Sequence, residues 1–308
     1  MSEQHKKNEK NFLIQGSILA IAGVITKLIG AFYRIPLLNI IGTEGNGYYS
    51  VAFSIYSVAL MLTSYSLPLA VSKLVSARVA VGEYKNANKI FRGAMTFALL
   101  AGGIVSLLVF FGADFIATTI MHLDMSAYAL RVLAPCILIV ALLGVLRGFF
   151  QGMGSMIPTA ISQVIEQIVN AVVSIAGAYL LFNAGRAVGK TRGDKSFGPA
   201  YAAAGGTLGT VLGALSALIF VGFIFLAYHK VFKKENENTI IQGKEKSYKT
   251  VYKVLFVTIA PVILSATVYN ISDFVDTALF NNVMAAQGFS KKRNTQVFLE
   301  SFRDSTVQ

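Results

Sequence analysis

The chain has 308 residues, of which 55% are hydrophobic and 14% charged, and its mean hydropathy is +0.61. These values exclude a soluble globular protein of this length and predict an integral membrane protein. The net charge of +12 would suggest nucleic-acid binding in a soluble protein. In a membrane protein, the distribution of cations among the loops reflects the orientation of the chain, so we expect no nucleic-acid partner.

The first predicted span, residues 11–40, is apolar enough to cross a bilayer and yet contains two cations. Read as a helix, Lys27 and Arg34 share one face with Gly23 and Gly30. Each cation costs roughly 2.5 to 3.5 kcal/mol at the centre of an inserted helix, so an anionic ligand or water in a cavity should compensate for it. In the alternative interpretation, Arg34 reaches the interface and Lys27 pairs with a carboxylate of another helix.

Six further apolar runs follow, and each reaches about the 20 residues that a membrane-spanning helix needs. They cover residues 48–71, 94–115, 129–150, 156–182, 199–228 and 254–283. Nothing alternates with period two in ten-residue segments, which excludes a membrane β-barrel. The sequence therefore predicts an all-α polytopic helical bundle of about seven transmembrane helices.

Polar residues inside the predicted spans are few and patterned. A stripe of helical period on span five predicts a helix that faces a cavity, and it consists of Thr159, Gln163, Glu166, Gln167 and Asn170. On span seven, Asp273 and Asp276 are three residues apart and share a face. Together with Glu166, they are possible partners of Lys27 and Arg34. The alternative is a set of buried ion pairs that only fix helix packing.

Two sets of glycines at four-residue spacing predict close helix packing. They are Gly144, Gly148 and Gly152 in span four, and Gly205, Gly209 and Gly213 in span six. The segment GRAVGKT (residues 185–191) is one residue short of a phosphate-binding loop, and the three histidines show no metal-ligand spacing. The sequence therefore predicts no metal, no cofactor and no enzymatic activity, and it favours transport or flipping.

The cations orient the predicted spans. Of the 27 Lys and Arg residues, 16 lie before span one, in residues 73–92, at the turn between spans four and five, or in residues 229–253. The positive-inside rule then predicts a cytoplasmic N-terminus. The link 183–198 lies on the opposite side and is nevertheless basic, through Arg186, Lys190, Arg192 and Lys195. This basic link is either an exception to the positive-inside rule or a contact site for anionic lipid headgroups or wall polymer.

Two long motifs carry a family resemblance. Residues 33–84 resemble the first two spans of the polysaccharide-biosynthesis branch of the multidrug/oligosaccharidyl-lipid/polysaccharide (MOP) exporter superfamily. Residues 147–170, RGFFQGMGSMIPTAISQVIEQIVN, resemble the span four to five turn of that branch in its lipid II flippase and stage V sporulation protein B-like form. The resemblance implies two six-helix lobes in the bacterial cytoplasmic membrane, facing each other across a cationic cavity. Such proteins move undecaprenyl-diphosphate-linked sugars across the bilayer by alternating access.

By this resemblance, Lys27 and Arg34 contact the diphosphate. From the polar pattern of spans five and seven, we expect the cavity to be lined by Gln163, Glu166, Asn170, Asp273 and Asp276. The implied organisation is a cytoplasmic segment (1–10), a six-helix N-terminal lobe (11–228), a basic linker (229–253), the first helix of a second lobe (254–285) and a polar tail (286–308). The tail departs from the family pattern, so we expect a truncated or frameshifted product or one half of a split gene. Expected partners are the lipid-linked glycan, membrane lipids, and either a second lobe encoded separately or a second copy of the chain.

Two alternatives stay open at this point. In a cation-coupled drug antiporter of the same superfamily, Glu166, Asp273 or Asp276 would bind H⁺ or Na⁺. An inactive or scaffolding membrane fragment is the second alternative. The two cations of span one favour an anionic substrate over an organic cation.

Overall fold

The computed structural model describes residues 3–237 and 247–286, and these ranges contain helices and turns but no strand. The helices are α1 (Glu3–Thr63), α2 (Leu67–Val79), α3 (Tyr84–Phe115), α4 (Ser126–Gly152), α5 (Ile157–Arg192), α6 (Phe197–Glu237) and α7 (Tyr248–Ala286). A π-helical turn, Ile116–Ile120, continues α3. The prediction of an all-α membrane bundle is confirmed.

The helix α1 consists of two helices that meet at Gly42. This residue has φ 69° and ψ 178°, a conformation that is essentially restricted to glycine. The side chains of Tyr33 and Tyr49 interact across the break. In a straight helix, two residues 16 positions apart would be separated by about 24 Å, so the chain must reverse its direction between them. Residues 3–41 and 43–63 are therefore the arms of a helical hairpin.

Five stretches of the described residues are long and apolar enough to cross a membrane. They are Ile14–Val79, Tyr84–Ile120, Ser126–Gly152, Ile157–Arg192 and Phe197–Tyr228. The first stretch contains both arms of the α1 hairpin and also α2. The chain is thus a multi-pass membrane protein. The predicted second run, residues 48–71, is interrupted at residues 64–66, because Pro68 starts a new helix in the first turn of α2, where its missing N–H is tolerated.

Contacts between the helices define their directions. The Met156 backbone N–H donates to Gln15, Asn170 donates to the Tyr33 hydroxyl, and Ala178 packs beside Leu37. In these three contacts the residue numbers increase together along both helices, so the first arm of α1 runs parallel to α5. By contrast, α3 and α4 are antiparallel, since Gly102 lies against Ala141 and the Ser106 hydroxyl donates to the Ala134 carbonyl.

The links predicted to share a side of the membrane lie at the same end of the bundle. Glu44 after the first arm, Leu123 before α4 and Asp194 before α6 line one cavity of about 150 Å³. At the other end, the start of α7 packs against the start of α3, through Val251 and Gly93. Which end faces the cytoplasm stays a prediction from the distribution of cations.

Glycines permit the closest helix contacts. A Cβ atom at Gly148 would lie 2.6 Å from the Pro68 carbonyl oxygen, and one at Gly152 would lie 2.7 Å from the Cβ of Val75. Between α5 and α6, the backbones of Gly177 and Gly205 touch each other. The predicted role of the glycine sets in close packing is therefore visible at α2–α4 and at α5–α6.

Two predicted links are largely helical. The predicted link 183–198 is for the most part the end of α5, because its Ala, Arg and Lys residues continue the helix after the apolar run has ended. Likewise, residues 73–92 belong mostly to α2 and α3. In the predicted linker 229–253, residues 238–246 lie outside the described part, and so do residues 287–308 of the predicted tail.

Candidate functional site

Within residues 14–35, the first arm of α1 has three distinct faces. One face packs on the rest of the bundle and includes Ala22 and the half-buried Tyr33. A second face exposes large apolar side chains, namely Ile21, Val24, Leu28 and Phe32. At 3.6 residues per turn, Lys27 and Arg34 lie about a third of a turn from each of these faces. The cations therefore occupy a separate face, neither the packing face nor the apolar face.

Both cations of this face are accessible. Lys27 and Arg34 are exposed, and neither forms an ion pair with a carboxylate whose side chain the structure describes. The flanking Gly23 and Gly30 have open space where a Cβ would stand. This face can consequently receive an anionic group without first breaking an ion pair to any of these described carboxylates.

The polar stripe of α5 meets α1 at one point. Asn170, which is buried, donates to the Tyr33 hydroxyl at 3.1 Å and accepts a hydrogen bond from the Ser174 hydroxyl at 2.9 Å. Tyr33 precedes Arg34 directly in the chain, so the Asn170 end of the stripe lies beside the cation face. Gln163 is half-buried two turns earlier on α5.

Glu166 has a partner that the sequence analysis did not identify. Arg147 contacts it from α4, with Nη2 and Oε2 2.8 Å apart, and the Nε of Arg147 donates to the Ser162 hydroxyl at 2.9 Å. Arg147 is the one cation counted above at the predicted turn between spans four and five, but it lies inside α4. The signal was available, since Arg147 falls within the predicted span 129–150. The prediction that Glu166 pairs with Lys27 or Arg34 is therefore corrected.

The structure describes only some of the side chains of α7. Asp276 is exposed on this helix, whereas the side chain of Asp273 lies outside the described part of the structure. Asn282 is hydrogen-bonded to His122 at 2.8 Å, which attaches the end of α7 to the link before α4. The structure thus brings Asn170 close to the cation face and places Glu166 in a different contact.

The chain matches known sequences over most of its length. A profile of the family described as polysaccharide biosynthesis protein covers residues 13–288. Stage V sporulation protein B of Bacillus subtilis (strain 168) is 29% identical over 293 residues, which cover 95% of this chain and 53% of that protein. The lipid II flippase MurJ of the same organism is 26% identical over 288 residues, which cover 90% of this chain and 50% of the flippase. These matches confirm the resemblance carried by residues 33–84 and 147–170.

The fold also has solved counterparts. An outward-facing multidrug resistance MATE family transporter of the MOP superfamily superposes with a TM-score of 0.64 at 17% sequence identity. The superposition covers 97% of this chain and 60% of that transporter. The chain spans about half the length of the curated relatives that it matches.

Proposed function

The chain belongs to the polysaccharide biosynthesis protein family of the MOP superfamily, and from this premise we propose that it forms one lobe of a membrane flippase. Its substrate class is an undecaprenyl-diphosphate-linked precursor of cell wall or polysaccharide, similar to lipid II. The flippase moves this lipid from the inner to the outer leaflet of the cytoplasmic membrane. The relatives are named as a flippase and a transporter, so the proposal includes no chemical step.

The observation that carries this proposal is the cation face of α1. Lys27 and Arg34 are exposed there, on an arm that also exposes large apolar side chains such as Val24 and Leu28. The two cations have no carboxylate partner among the described side chains. Two cations within a predicted membrane span are energetically unfavourable, which indicates a functional role. A diphosphate carries the complementary charge.

Each cation suits a different part of that task. The guanidinium of Arg34 offers a planar fork of donors that matches phosphate oxygens, while the Lys27 ammonium acts as a compact point charge. Hydrogen bonds to charged groups contribute roughly 1.5 to 3 kcal/mol each, and more where water is excluded. The two residues are seven positions apart, about 10 Å along a helix, so they can bind the headgroup at two successive points of its path.

Alternating access needs a second wall. We assign residues 11–228 to one six-helix lobe and residues 254–285 to the first helix of a second lobe. A site between two lobes is open to one leaflet while it is closed to the other, which one lobe cannot achieve alone. The proposal therefore requires an opposing wall beyond the helices of residues 11–285. Flipping by a monomer of these 308 residues in liposomes would refute this organisation.

Binding tests the proposal directly on the 308-residue chain. We expect the purified protein in neutral detergent to bind undecaprenyl diphosphate and not undecaprenol, which has the same tail and no charge. Lys27→Leu or Arg34→Leu should each weaken binding about tenfold or more, the loss of one charge-assisted hydrogen bond. Arg34→Lys should lose less, because the charge stays and only the fork is removed.

Stability serves as the control for these variants. Neither cation forms an ion pair with a described carboxylate that its removal would strand, so the Leu variants should unfold at the parent temperature or above. They should also insert more readily, by about 3 kcal/mol per central charge. Unfolded variants, or stable variants that still bind the diphosphate, would overturn the proposal.

The second candidate is a cation-coupled multidrug antiporter. Its motivation is Glu166, a half-buried carboxylate within α5. The Arg147 guanidinium already neutralises this carboxylate, so the flippase is favoured. Binding of an organic cation by the purified chain, abolished by Glu166→Gln and unaffected by Lys27→Leu, would reverse this order.

A further inference from the structure

A basic cavity lies at the end of the bundle where α5 leads into α6. It has a volume of about 600 Å³, and three cations line it: Arg186, Lys190 and Lys195. All three are exposed, and none forms an ion pair within the described part of the chain. Glu44 is the one carboxylate among the described lining residues, and it accepts a hydrogen bond from the Tyr48 hydroxyl at 2.8 Å. The cavity is therefore strongly cationic.

Helix electrostatics explain only part of this cluster. Lys190 and Arg192 lie in the last turn of α5, where cations stabilise the negative end of the helix dipole. Arg192 also stacks over the Phe197 ring at 5.2 Å and does not line the cavity. Arg186 comes before the last turn, and Lys195 lies beyond the end of the helix. Their convergence with Lys190 on one cavity needs another reason.

The backbone around the cavity is closely constrained. Gly193 ends α5 in the left-handed conformation (φ 70°, ψ 14°), which turns the chain after the helix. Lys195, just after this turn, lines the same cavity as Lys190. Gly189 is buried, and a Cβ there would collide with the Asp194 carbonyl. Arg186 lies over the Phe182 ring at 5.8 Å, a cation–π contact that limits where its guanidinium can move.

We propose that this cavity binds the phosphate group of an anionic phospholipid headgroup at the membrane surface. Its volume falls within the range of roughly 300 to 1,000 Å³ typical of small-molecule sites. It lies where a predicted membrane span ends, so the acyl chains of a bound lipid can stay in the bilayer. The site is separate from the cation face of α1 and does not depend on the proposed flippase activity.

The position of these cations supports the proposal. On the predicted outer side, the positive-inside rule disfavours Lys and Arg, and this cavity concentrates three of them. An anionic headgroup compensates for that concentration, because each Lys or Arg near an anionic membrane surface contributes to lipid attraction. A neutral or zwitterionic headgroup would not.

The test measures lipid binding by the purified 308-residue chain in neutral detergent, using native mass spectrometry. The probes are dioleoyl phosphatidylglycerol, dioleoyl phosphatidylcholine and inorganic phosphate. The site variant combines Arg186→Gln, Lys190→Gln and Lys195→Gln. The matched control combines Lys73→Gln, Lys85→Gln and Arg92→Gln, which lower the net charge equally at the other end of the bundle. Circular dichroism verifies that both variants keep their helices.

We expect phosphatidylglycerol to bind the parent and the control alike, and to bind the site variant roughly fivefold more weakly for each neutralised cation. Three results would overturn the proposal: equal loss in the site and control variants, equal binding of phosphatidylcholine and phosphatidylglycerol, or competition by inorganic phosphate at the same concentration. Lys27→Leu should leave phosphatidylglycerol binding at this cavity unchanged, so failure of the flippase proposal would not be mistaken for failure of this one.

Discussion

Arg147 and Glu166 form an ion pair that joins α4 to α5, with Nη2 and Oε2 2.8 Å apart. Their side chains are 15% and 23% exposed, so the ion pair is mostly buried within the bundle. The Ser162 hydroxyl accepts a second hydrogen bond from Arg147 and donates one to the Thr159 carbonyl. Among the described side chains, this ion pair within the bundle contrasts with Lys27 and Arg34 of α1, which have no carboxylate partner there.

Breaking the pair should destabilise the bundle. Arg147→Leu leaves the Glu166 carboxylate without its partner, and we expect a loss of roughly 3 kcal/mol, near the lower end of the range for buried pairs because both groups retain some exposure. Thermal unfolding in detergent measures the change. The double variant Arg147→Leu/Glu166→Leu should recover much of the stability, since no charge is stranded. Equal losses in the single and double variants would show that the ion pair is not what holds α4 to α5.

The contact between α5 and α6 should tolerate no side chain at Gly209. A Cβ at this position would lie 2.5 Å from the Asn170 carbonyl oxygen, so Gly209→Ala should cost roughly 1 to 3 kcal/mol through overpacking. Gly222, on the same helix, has open space where its Cβ would stand. Gly222→Ala should therefore be neutral, or stabilising by up to about 1 kcal/mol through helix propensity. Thermal unfolding of the two variants side by side checks this, and a reversed order would contradict the packing.

The two turn glycines should respond differently to asparagine. Gly193 has a left-handed helical conformation that asparagine adopts readily, so Gly193→Asn should change the stability by a few tenths of a kcal/mol. Gly42, at φ 69° and ψ 178°, occupies a region that only glycine visits, and Gly42→Asn should cost roughly 1 to 3 kcal/mol. Neither site has an atom within 4 Å of an added Cβ, so the comparison isolates backbone strain.

Orientation in the membrane can be read from cysteine labelling. Cys136 is buried and accepts a hydrogen bond from the Tyr56 hydroxyl, so Cys136→Ser gives a suitable background that keeps an acceptor. An impermeant maleimide added to intact cells should label Lys190→Cys and not Lys73→Cys or Lys85→Cys. All three should react after detergent solubilisation. Labelling of the latter two alone in intact cells would invert the topology.

The sequence predicted the apolar cores of the spans well and their ends poorly. Hydropathy falls after Phe182, but the helix continues to Arg192, because backbone hydrogen bonding and helix propensity do not depend on contact with lipid. The break at Gly42 falls between the first two predicted spans, 11–40 and 48–71. Its hairpin geometry follows from an interaction between Tyr33 and Tyr49 that no periodicity reveals.

The candidate site was predicted in part. Local spacing was enough to place Lys27 and Arg34 on one face, since both belong to one helix. It could not show which carboxylate faces which cation, because that depends on which helices are neighbours. Arg147 lies three residues from the end of the predicted span 129–150, where the sequence does not distinguish the last turn of a helix from the loop after it. Its ion pair with Glu166 replaces the predicted pairing of Glu166 with Lys27 or Arg34.

The hairpin at Gly42 also bears on how the protein is made. The first arm carries Lys27 and Arg34 within its apolar run and enters a bilayer poorly by itself, at a penalty of roughly 2.5 to 3.5 kcal/mol for each central charge. The second arm, residues 43–63, contains no Lys, Arg, Asp or Glu apart from Glu44 near its start. Because a single glycine joins the two arms, they can leave the ribosome and partition into lipid as one unit. We therefore expect the apolar arm to offset the insertion penalty of the charged arm, so that insertion of the cation face depends on the helix that follows it.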